Sequence, residues 1–572
     1  MKKITLLCSL VFLSTSFAQS IQSLTTIAEK SAWKQTGRAD ETQKLCHQFS
    51  RTFPARIQCK SYGKTPEGRR LWYIHIQDAK PIPQAPIVWI QAGIHAGEID
   101  GKDAVFALMK NVFVQKTIPD LFKGLNVIFV PIVNLDGHER FGKWNRPNQV
   151  GPEEMGWRVT AQNYNMNRDF AKSDSLEMQN LNKLWNQYTP VISLDLHVTD
   201  GAHFQPEIGI ITTPTENSGS SALHKAGTEY ENMLMEKMKL RGRMALPFYP
   251  SFEEDDRPLS GFSRGVSPPR FANGYWFVRN RIGVLVESHS WKDYPTRVKT
   301  HYDTVASTLE IAQQKGAAWT IVAQELDKQN LAGKKIDVSF KKTGQFSTIE
   351  FPGYKFSITR SKISNSDVIR YFLDKPEIWK VPFYEALTPA LSVIAPTHGY
   401  IIPASEIETV RRTLDVHGIR YHLLKTSVPE KLGVFRASKV ELSKVSFEGR
   451  QTATIEGAWS DEKVELAKGS LFVPINQPNA RIAVHLLEPL APDSFVFWGC
   501  FNRFFEMKEY MEDYVAEDVA TEMLKDKKIS VEFEAKLKDE SFAKDPAKRF
   551  RFFYQKHSSW DDRYSRYPIL KW

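Results

Sequence analysis

After its first 18 residues, this 572-residue sequence has no apolar run of the about 20 residues that a membrane span requires. It also has no stripe of basic residues, because the lysines and arginines behind its net charge of +10 are spread along the chain. These two absences argue against a membrane-spanning protein and against a nucleic-acid-binding protein. Internal repeats and low-complexity blocks are lacking too. A globular protein remains, and its length predicts two or three domains.

Cysteine is scarce, with four residues in the whole chain. Cys8 lies in an apolar stretch near the start of the sequence, which leaves Cys46, Cys59 and Cys500. In an oxidising compartment Cys46 and Cys59 could form a disulfide across a short loop. Buried free thiols are an equally good interpretation of the same residues.

The first residues have the pattern of a targeting segment. Lys2 and Lys3 precede an apolar stretch that ends at Phe17, and Ala18 completes a small-x-small cleavage site. This pattern predicts a bacterial-type secretory signal peptide over residues 1–18 and an exported protein, either periplasmic or secreted. A short membrane anchor is less favoured, because the apolar stretch is shorter than a bilayer span.

Between about residues 85 and 320, strand-like and helix-like segments alternate. The strand-like runs are apolar and the helix-like runs carry apolar residues at helical spacing. The strands are expected at 86–92, 125–133, 191–196 and 281–286, and the helices at 103–115, 175–187 and 302–314. This alternation predicts an α/β sheet with helices on both faces. The pattern changes after residue 330, which suggests a domain over 19–330 and an α+β or β-rich accessory domain over 331–572.

A candidate metal-binding pair follows the first of these strands. In the segment QAGIHAGEIDG, His95 and Glu98 are three residues apart in a turn directly after the apolar run. Imidazole and carboxylate are both good zinc ligands, and a third ligand would leave one coordination position open. The pair alone is weak evidence, because a His-x-x-Glu string often arises by chance.

A third ligand candidate ends the strand at 191–196. His197 follows this apolar run much as His95 follows the first one. Asp195 precedes it by two residues, so both side chains leave the same face of the strand, and Asp195 could support the metal ligand. His289 is a weaker rival for a ligand position.

Candidate groups for binding an anion lie between the two histidines. The segment GWRVTAQNYNMNRDF contains Arg158, Asn167 and Arg168. A guanidinium presents paired donors to a carboxylate or to a developing oxyanion, and two of them beside an amide would suit a substrate that ends in a carboxylate. A solvated loop of a basic protein is the alternative interpretation.

A candidate general base ends the last strand. Glu287 follows the apolar run 283–286 in RNRIGVLVESHS. A carboxylate delivered from a buried strand into a site is suited to take a proton from an activated water. A glutamate that faces solvent at a strand end is the common alternative.

Together these ordered motifs resemble the zinc carboxypeptidase family over about residues 40–325. The string NMNRDF is similar to the Asn-Arg motif of that family, and PIVNLDGHERF (131–141) is similar to its Asn-x-Asp-Gly turn. The resemblance implies a mixed, mostly parallel sheet flanked by helices. It also implies a zinc-dependent metallocarboxypeptidase that acts near the C-terminus of peptides with a zinc-activated water. The strings LLEPLAPDSFVFWG, FEMKEYMEDYV and RFRFFY resemble a module behind this domain in some bacterial secreted members.

The resemblance also implies roles for the motif residues. His95, Glu98 and His197 would hold one Zn²⁺ per catalytic domain, as in the two-His, one-Glu site of carboxypeptidase A. Glu287 would act as the base, and Arg158 would stabilise the oxyanion. Asn167 and Arg168 would bind the free carboxylate of a peptide substrate.

Several features stay open. A zinc amidase or peptidase that acts on peptidoglycan stem peptides, or on other N-acyl amino acids, is the alternative reading. A binding protein with a decayed site is disfavoured, because every ligand and the base are present. Tyr249 and Tyr275 are candidates for the tyrosine that closes over substrate in the family. The acidic segment 253–256 could attract a basic side chain, although a solvated loop is the simpler interpretation.

Overall fold

A computed structural model describes residues 24–425 and 431–572 of the protein. The strands of its main sheet lie between residues 57 and 288. The strands of this region are β1 (Ile57–Lys64), β2 (Arg70–Ile76), β3 (Ile87–Ala92), β4 (Asn126–Val130), β5 (Ile192–Val198), β6 (Ile208–Thr213), β7 (Ala245–Leu246), β8 (Phe262–Ser263) and β9 (Ile282–Ser288). All except β8 form one sheet in the order β1-β2-β4-β3-β5-β9-β6-β7. The four central strands are parallel, and antiparallel pairings appear toward the edges, so the predicted mixed sheet is confirmed.

Helices cover both faces of the main sheet, as predicted. The helices up to residue 327 are α1 (Ile27–Lys30), α2 (Ala39–Thr52), α3 (Asp100–Met109), α4 (Leu135–Glu139), α5 (Leu176–Tyr188), α6 (Ala222–Leu240), α7 (Ala272–Val278) and α8 (Tyr294–Asp327). Residues of α2, α3, α6 and α8 share one buried cluster with the sheet, and residues of α5 and α7 share another. Every residue of β5 is buried, as expected for a strand covered on both faces. The three helices predicted from the apolar spacing fall in α3 with the π-helical turn after it, in α5 and in α8.

The signal peptide predicted over residues 1–18 lies outside the described residues. Cys46, on α2, and Cys59, on β1, form a disulfide. This bond confirms the pairing that the spacing allowed and excludes the alternative of buried free thiols at these two positions. Cys500 is the free cysteine of the described part of the chain.

The C-terminal part, residues 331–572, adds further strands and helices. The strands are β10 (Lys335–Lys342), β11 (Ser347–Arg360), β12 (Asp367–Tyr384), β13 (Leu387–Ile394), β14 (Gly399–Ile402), β15 (His422–Leu423), β16 (Lys431–Leu442), β17 (Ala453–Lys463), β18 (Leu471–Pro474) and β19 (Leu570–Lys571). The helices are α9 (Ile407–Val416), α10 (Ala480–Leu487), α11 (Asp513–Met523), α12 (Lys527–Leu537), α13 (Glu540–Ala543) and α14 (Pro546–Tyr554). The strands form a pair β10-β13, a six-stranded sheet β15-β18-β14-β19-β16-β17, and a sheet in which β11 and β12 join β8. The β-rich character predicted for this region is confirmed.

The C-terminal part packs against α5 and α7, the helices that cover one face of the main sheet. Tyr400, Leu414 and Val484 are buried in the same apolar cluster as Trp185 of α5 and Tyr275 of α7. Burial of such side chains is the dominant stabilising term in folding, so this shared core holds the two parts together. Within residues 24–425 and 431–572, no helix is both long and apolar enough to cross a bilayer.

Candidate metal centre and active-site cavity

Three predicted metal ligands meet at the carboxyl ends of two parallel strands. His95 and Glu98 lie in the turn after β3, and His197 is near the end of its neighbour β5. One ligand atom from each lies within 4.8 Å of the others. The Nδ1 atom of His95 is 3.0 Å from Oε1 of Glu98, and Nδ1 of His197 is 3.0 Å from Oε2. Two imidazoles and one carboxylate that converge in this way fit a zinc ion.

A buried chain of hydrogen bonds orients His197. Its Nε2 atom lies 2.8 Å from Oδ2 of Asp195, which establishes a contact that strand parity alone could not. Gln91 donates to Oδ1 of Asp195 at 2.9 Å, and the indole of Trp89 donates to Gln91 at 2.8 Å. Because Asp195 engages Nε2 of His197, the Nδ1 atom faces Glu98 and could offer its lone pair to a bound metal.

Asn165 supports His95, although it was not among the site residues predicted from the sequence. Its Oδ1 atom lies 3.2 Å from Nε2 of His95 and also accepts from the backbone N–H of Asn167 at 3.2 Å. One side chain therefore ties a metal ligand to the segment that carries the anion-binding candidates. The available signal was its place two residues before Asn167 in the NMNR string.

Burial and charged neighbours together determine the pKa values of His95 and Glu98. Burial lowers the pKa of His95 to about 4, so its imidazole is neutral near pH 7, which is the form that binds metals. Burial alone would raise the pKa of Glu98, but His95 and Arg146 outweigh it and hold that pKa well below its usual range. Nη2 of Arg146 lies 2.6 Å from Oε1 of Glu98. No local pattern marked Arg146, which lies in an irregular loop.

The other predicted site residues line one cavity beside the ligand cluster. The cavity has a volume of about 440 Å³ and includes His95, Arg158, Asn167, Arg168 and Glu287 in its wall. The structure therefore brings the anion-binding candidates, the base candidate and one metal ligand to the same space. A cleft with a few convergent polar groups is the usual form of an active site.

The Asn-x-Asp-Gly turn positions Arg158. Asn134 caps α4 by accepting from the N–H of Gly137 at 3.0 Å, and its amide donates to the backbone carbonyl of Arg158 at 3.3 Å. A Cβ on Gly137 would lie 2.4 Å from the carbonyl oxygen of Val159, so any larger residue would displace the backbone around Val159. Nη1 of Arg158 lies 3.8 Å from Oε1 of Glu98, at the edge of the ligand cluster.

Asn167 and Arg168 come from a short 3₁₀ turn, Met166–Arg168. The Arg168 guanidinium lies over the ring of Phe271, 4.3 Å from its centroid, and donates to the backbone carbonyl of Asn167 at 2.8 Å. Stacking on an aromatic face fixes the plane of the guanidinium and leaves its other N–H groups able to engage a ligand.

Glu287 enters the cavity from β9, in register with His197 on the neighbouring strand β5. It is 7% exposed. Burial raises its pKa to about 8, against the attraction of His197. A nearby divalent cation lowers the pKa of a carboxyl group, so a bound metal would favour the ionised form that accepts a proton.

Comparison with known proteins finds a similarity over the segment that carries the predicted metal ligands. Residues 42–208 match the family model described as zinc carboxypeptidase, a segment that contains all three ligands. Over these residues the chain is similar to the zinc carboxypeptidase family. It is a hydrolase of the metallocarboxypeptidase type, and the family implies zinc as the metal of the His-Glu-His cluster.

The similarity to curated carboxypeptidases extends well beyond the matched segment. Carboxypeptidase 2 of Trichophyton equinum is 24% identical over 473 residues, which cover 77% of this chain and 79% of the relative. Carboxypeptidase 2 of Trichophyton rubrum is also 24% identical, over 76% of this chain and 79% of the relative. These relatives are fungal, so the bacterial origin stays a prediction. Among solved structures, the carboxypeptidase A of Helicoverpa armigera is similar to part of the chain, with 14% identity, a TM-score of 0.35, and coverage of 49% of this chain and 74% of that one.

The structure separates the remaining candidate residues of the site. Tyr249 lines the cavity, whereas Tyr275 is fully buried and bonds to Arg279 and His417, so Tyr275 cannot reach a substrate. His289 stacks on a phenylalanine ring and is not part of the ligand cluster. The four acidic residues 253–256 are not part of the cavity wall. Glu253 pairs with Lys342, and a solvated loop is the better interpretation of residues 254–256, which are exposed.

We expect Asp195→Asn to weaken zinc binding by about 10- to 100-fold, because the amide cannot hold Nε2 of His197 as a carboxylate does. Competition with a chromogenic zinc chelator measures this affinity. Asp255→Asn, an exposed change in the acidic loop, is the control and should bind zinc as the wild type does. An unchanged affinity in Asp195→Asn would remove Asp195 from the support of the metal site.

Proposed function

We propose that this protein is a zinc carboxypeptidase that releases residues from the C-terminal end of peptides, with His95, Glu98 and His197 holding one zinc ion. The main support is a single observation: a metal ligand, a buried carboxylate and two guanidinium groups face the same cavity. The groups are His95, Glu287, Arg158 and Arg168. Such an arrangement is suited to amide hydrolysis beside a carboxylate.

Each residue of the cavity has a chemical task in this proposal. Zinc, when bound, supplies the Lewis acidity that activates water and polarises the scissile carbonyl. Glu287 takes a proton from the attacking water and delivers it to the leaving amine. Arg158 donates to the oxygen on which negative charge develops, and a preorganised donor of this kind stabilises the transition state more than the ground state.

Arg168 and Asn167 bind the terminal carboxylate of the substrate. The guanidinium of Arg168 offers paired N–H donors, and its stacking on Phe271 reduces the entropy lost when it binds a planar anion. Anchoring the terminal carboxylate places the last peptide bond near the metal. This geometry favours an exopeptidase over an enzyme that cuts within a chain.

The proposal is tested with matched peptides that end in a free carboxylate or in an amide. We expect stepwise release of C-terminal residues from the free acids, and release at least tenfold slower from the amides, since a charged hydrogen bond contributes about 1.5–3 kcal/mol. Arg168→Gln should raise KM for the acids and abolish their advantage over the amides. Mass spectrometry of the products measures both effects.

Three outcomes of this experiment would contradict the proposal. Internal cuts would show an endopeptidase, and equal rates on acids and amides would remove the carboxylate role of Arg168. Cleavage confined to peptidoglycan stem peptides or N-acyl amino acids would support the alternative substrate class. Arg257→Gln, an exposed change outside the cavity, is the control and should leave the preference for free acids intact.

We also propose that the protein is exported, and that residues 19–330 form the catalytic domain and 331–572 an accessory domain. The Cys46–Cys59 disulfide supports an oxidising compartment. The sheets that begin at β10 support a boundary near residue 331. Cell fractionation with detection of the processed N-terminus tests the export.

A further inference from the structure

The C-terminal part of the chain reaches the active-site cavity. Leu387, the first residue of β13, lies in the cavity wall together with Ile211, Val266 and Leu285. The other residues that line the cavity come from positions 95–287. A residue 100 positions beyond Glu287 therefore shares the space in which the substrate is proposed to bind.

The C-terminal part also binds the first residues of a loop that forms one wall of the cavity. This wall loop, residues 263–271, begins in β8. Ser263 of β8 is paired in parallel with Tyr384 at the end of β12, and the N–H of Arg264 donates to the carbonyl of Tyr384 at 2.9 Å. The loop is thus attached to the strand that leads into Leu387.

A buried ion pair holds the wall loop at its other end. The N–H of Arg270 donates to Oδ2 of Asp493 at 2.8 Å, and the Arg270 guanidinium lies 3.0 Å from Oδ1 of the same carboxylate. Asp493 is fully buried. The next residue of the loop, Phe271, is the ring on which Arg168 stacks. The C-terminal part therefore fixes the platform beneath the proposed carboxylate-binding residue.

The polar groups of the cavity wall offer no partner for a basic ligand. Arg264 lines the cavity and forms two hydrogen bonds with the carboxylate of Glu231, at 2.9 and 3.0 Å. Among the described residues that line the cavity, Glu287 is the one carboxylate, and it belongs to the reactive end. Because Glu231 already pairs with Arg264, a lysine or arginine side chain in the cavity would find no free carboxylate in the wall away from the reactive end, and a desolvated unpaired charge is costly.

We propose that Leu387 is a specificity-determining residue, and that the cavity accepts an uncharged side chain of the residue that is released. The C-terminal part is then a structural component of the catalytic unit, because it supplies Leu387 and positions the wall loop. This inference rests on the proposed carboxypeptidase function.

The test uses peptides that differ only in their C-terminal residue, which is Ala, Leu, Phe, Trp, Gln, Lys or Arg. In the full-length wild-type enzyme we expect kcat/KM for Leu, Phe and Gln to exceed that for Lys and Arg by at least about tenfold. Leu387→Ala should enlarge the cavity and raise the Trp-to-Leu ratio by about tenfold, and Leu387→Trp should shift the preference toward Ala.

Thr388→Ala is the matched control. Thr388 follows Leu387 on the same strand, its side chain leaves the opposite face, and it does not line the cavity. This variant should keep the wild-type preference. The assignment of Leu387 is wrong if its two variants change kcat/KM by the same factor for every peptide. It is also wrong if Thr388→Ala shows the same change in preference. If the wild type prefers peptides that end in Lys or Arg, the proposal that the cavity accepts an uncharged side chain is wrong.

Binding of the same peptides to zinc-loaded Glu287→Gln distinguishes failure of this inference from failure of the proposed function. In one outcome, the wild type releases no residue while the affinity of the Glu287→Gln protein still depends on the last side chain of the peptide. That result would contradict the carboxypeptidase function and support the proposed side-chain pocket. In that case Leu387→Ala, combined with Glu287→Gln, should still change the ranking. An unchanged ranking would overturn the role of Leu387.

Discussion

Glu287→Gln is expected to lower kcat by about 10²- to 10⁴-fold, the range that general base catalysis contributes, while zinc and substrate remain bound. Glutamine has nearly the size of glutamate and keeps the backbone pairing of β9 with β5. It cannot accept a proton from water. The expected result is therefore a loss of the chemical step without a loss of the site, visible in single-turnover kinetics and in an unchanged zinc content.

The control for this prediction is Glu254→Gln, an exposed carboxylate outside the cavity, which should retain full activity. A Glu287→Gln enzyme that keeps most of its kcat would show that another group accepts the proton. A fall in activity that merely follows a loss of zinc would show that Glu287 supports the metal site instead. Measuring zinc per folded chain beside kcat separates these two results.

The second large effect is expected from His197→Ala, which removes one of the three ligand atoms that lie within 4.8 Å of one another. The purified wild type should contain about one zinc per chain and the variant far less, because two remaining ligands bind zinc weakly. A catalytic metal contributes several kcal/mol to transition-state stabilisation, so activity should fall by about a thousandfold or more. A chelator should produce the same loss in the wild type, and added zinc should restore it.

His289→Gln is the control that tests the rival ligand. His289 is buried and lies two residues after Glu287, but it stacks on Phe204 and does not join the ligand cluster. This variant should keep its zinc. If His289→Gln loses zinc and His197→Ala retains it, the ligand assignment is wrong. Elemental analysis of the folded fractions, together with their thermal unfolding with and without zinc, gives the comparison.

Local patterns in the sequence predicted the parts of the site that depend on strand ends. Apolar runs identified β3, β5 and β9, and parallel strands place their carboxyl ends at one edge of a sheet. The polar residues that follow these runs are therefore neighbours in space. This reasoning applies to His95, Glu98, His197 and Glu287, which lie together at that edge in the structure.

Residues without a local pattern could not be predicted in this way. Arg146 lies in an irregular loop, and its contact with Glu98 depends on how that loop folds over the site. The choice between Tyr249 and Tyr275 likewise depended on burial, because Tyr275 points into the core beside His417. Such contacts join segments distant in sequence, and neither periodicity nor spacing carries information about them.

By itself, the sequence determined the α/β class, the order of the motif residues and the kind of metal that they suit, because these follow from apolar periodicity and from ligand chemistry. Tertiary structure alone decided what completes the cavity. Leu387 lines the cavity and Asp493 binds the wall loop because residues 331–572 pack against α5 and α7. That packing is a sum of many weak apolar contacts, which no short motif in the chain specifies.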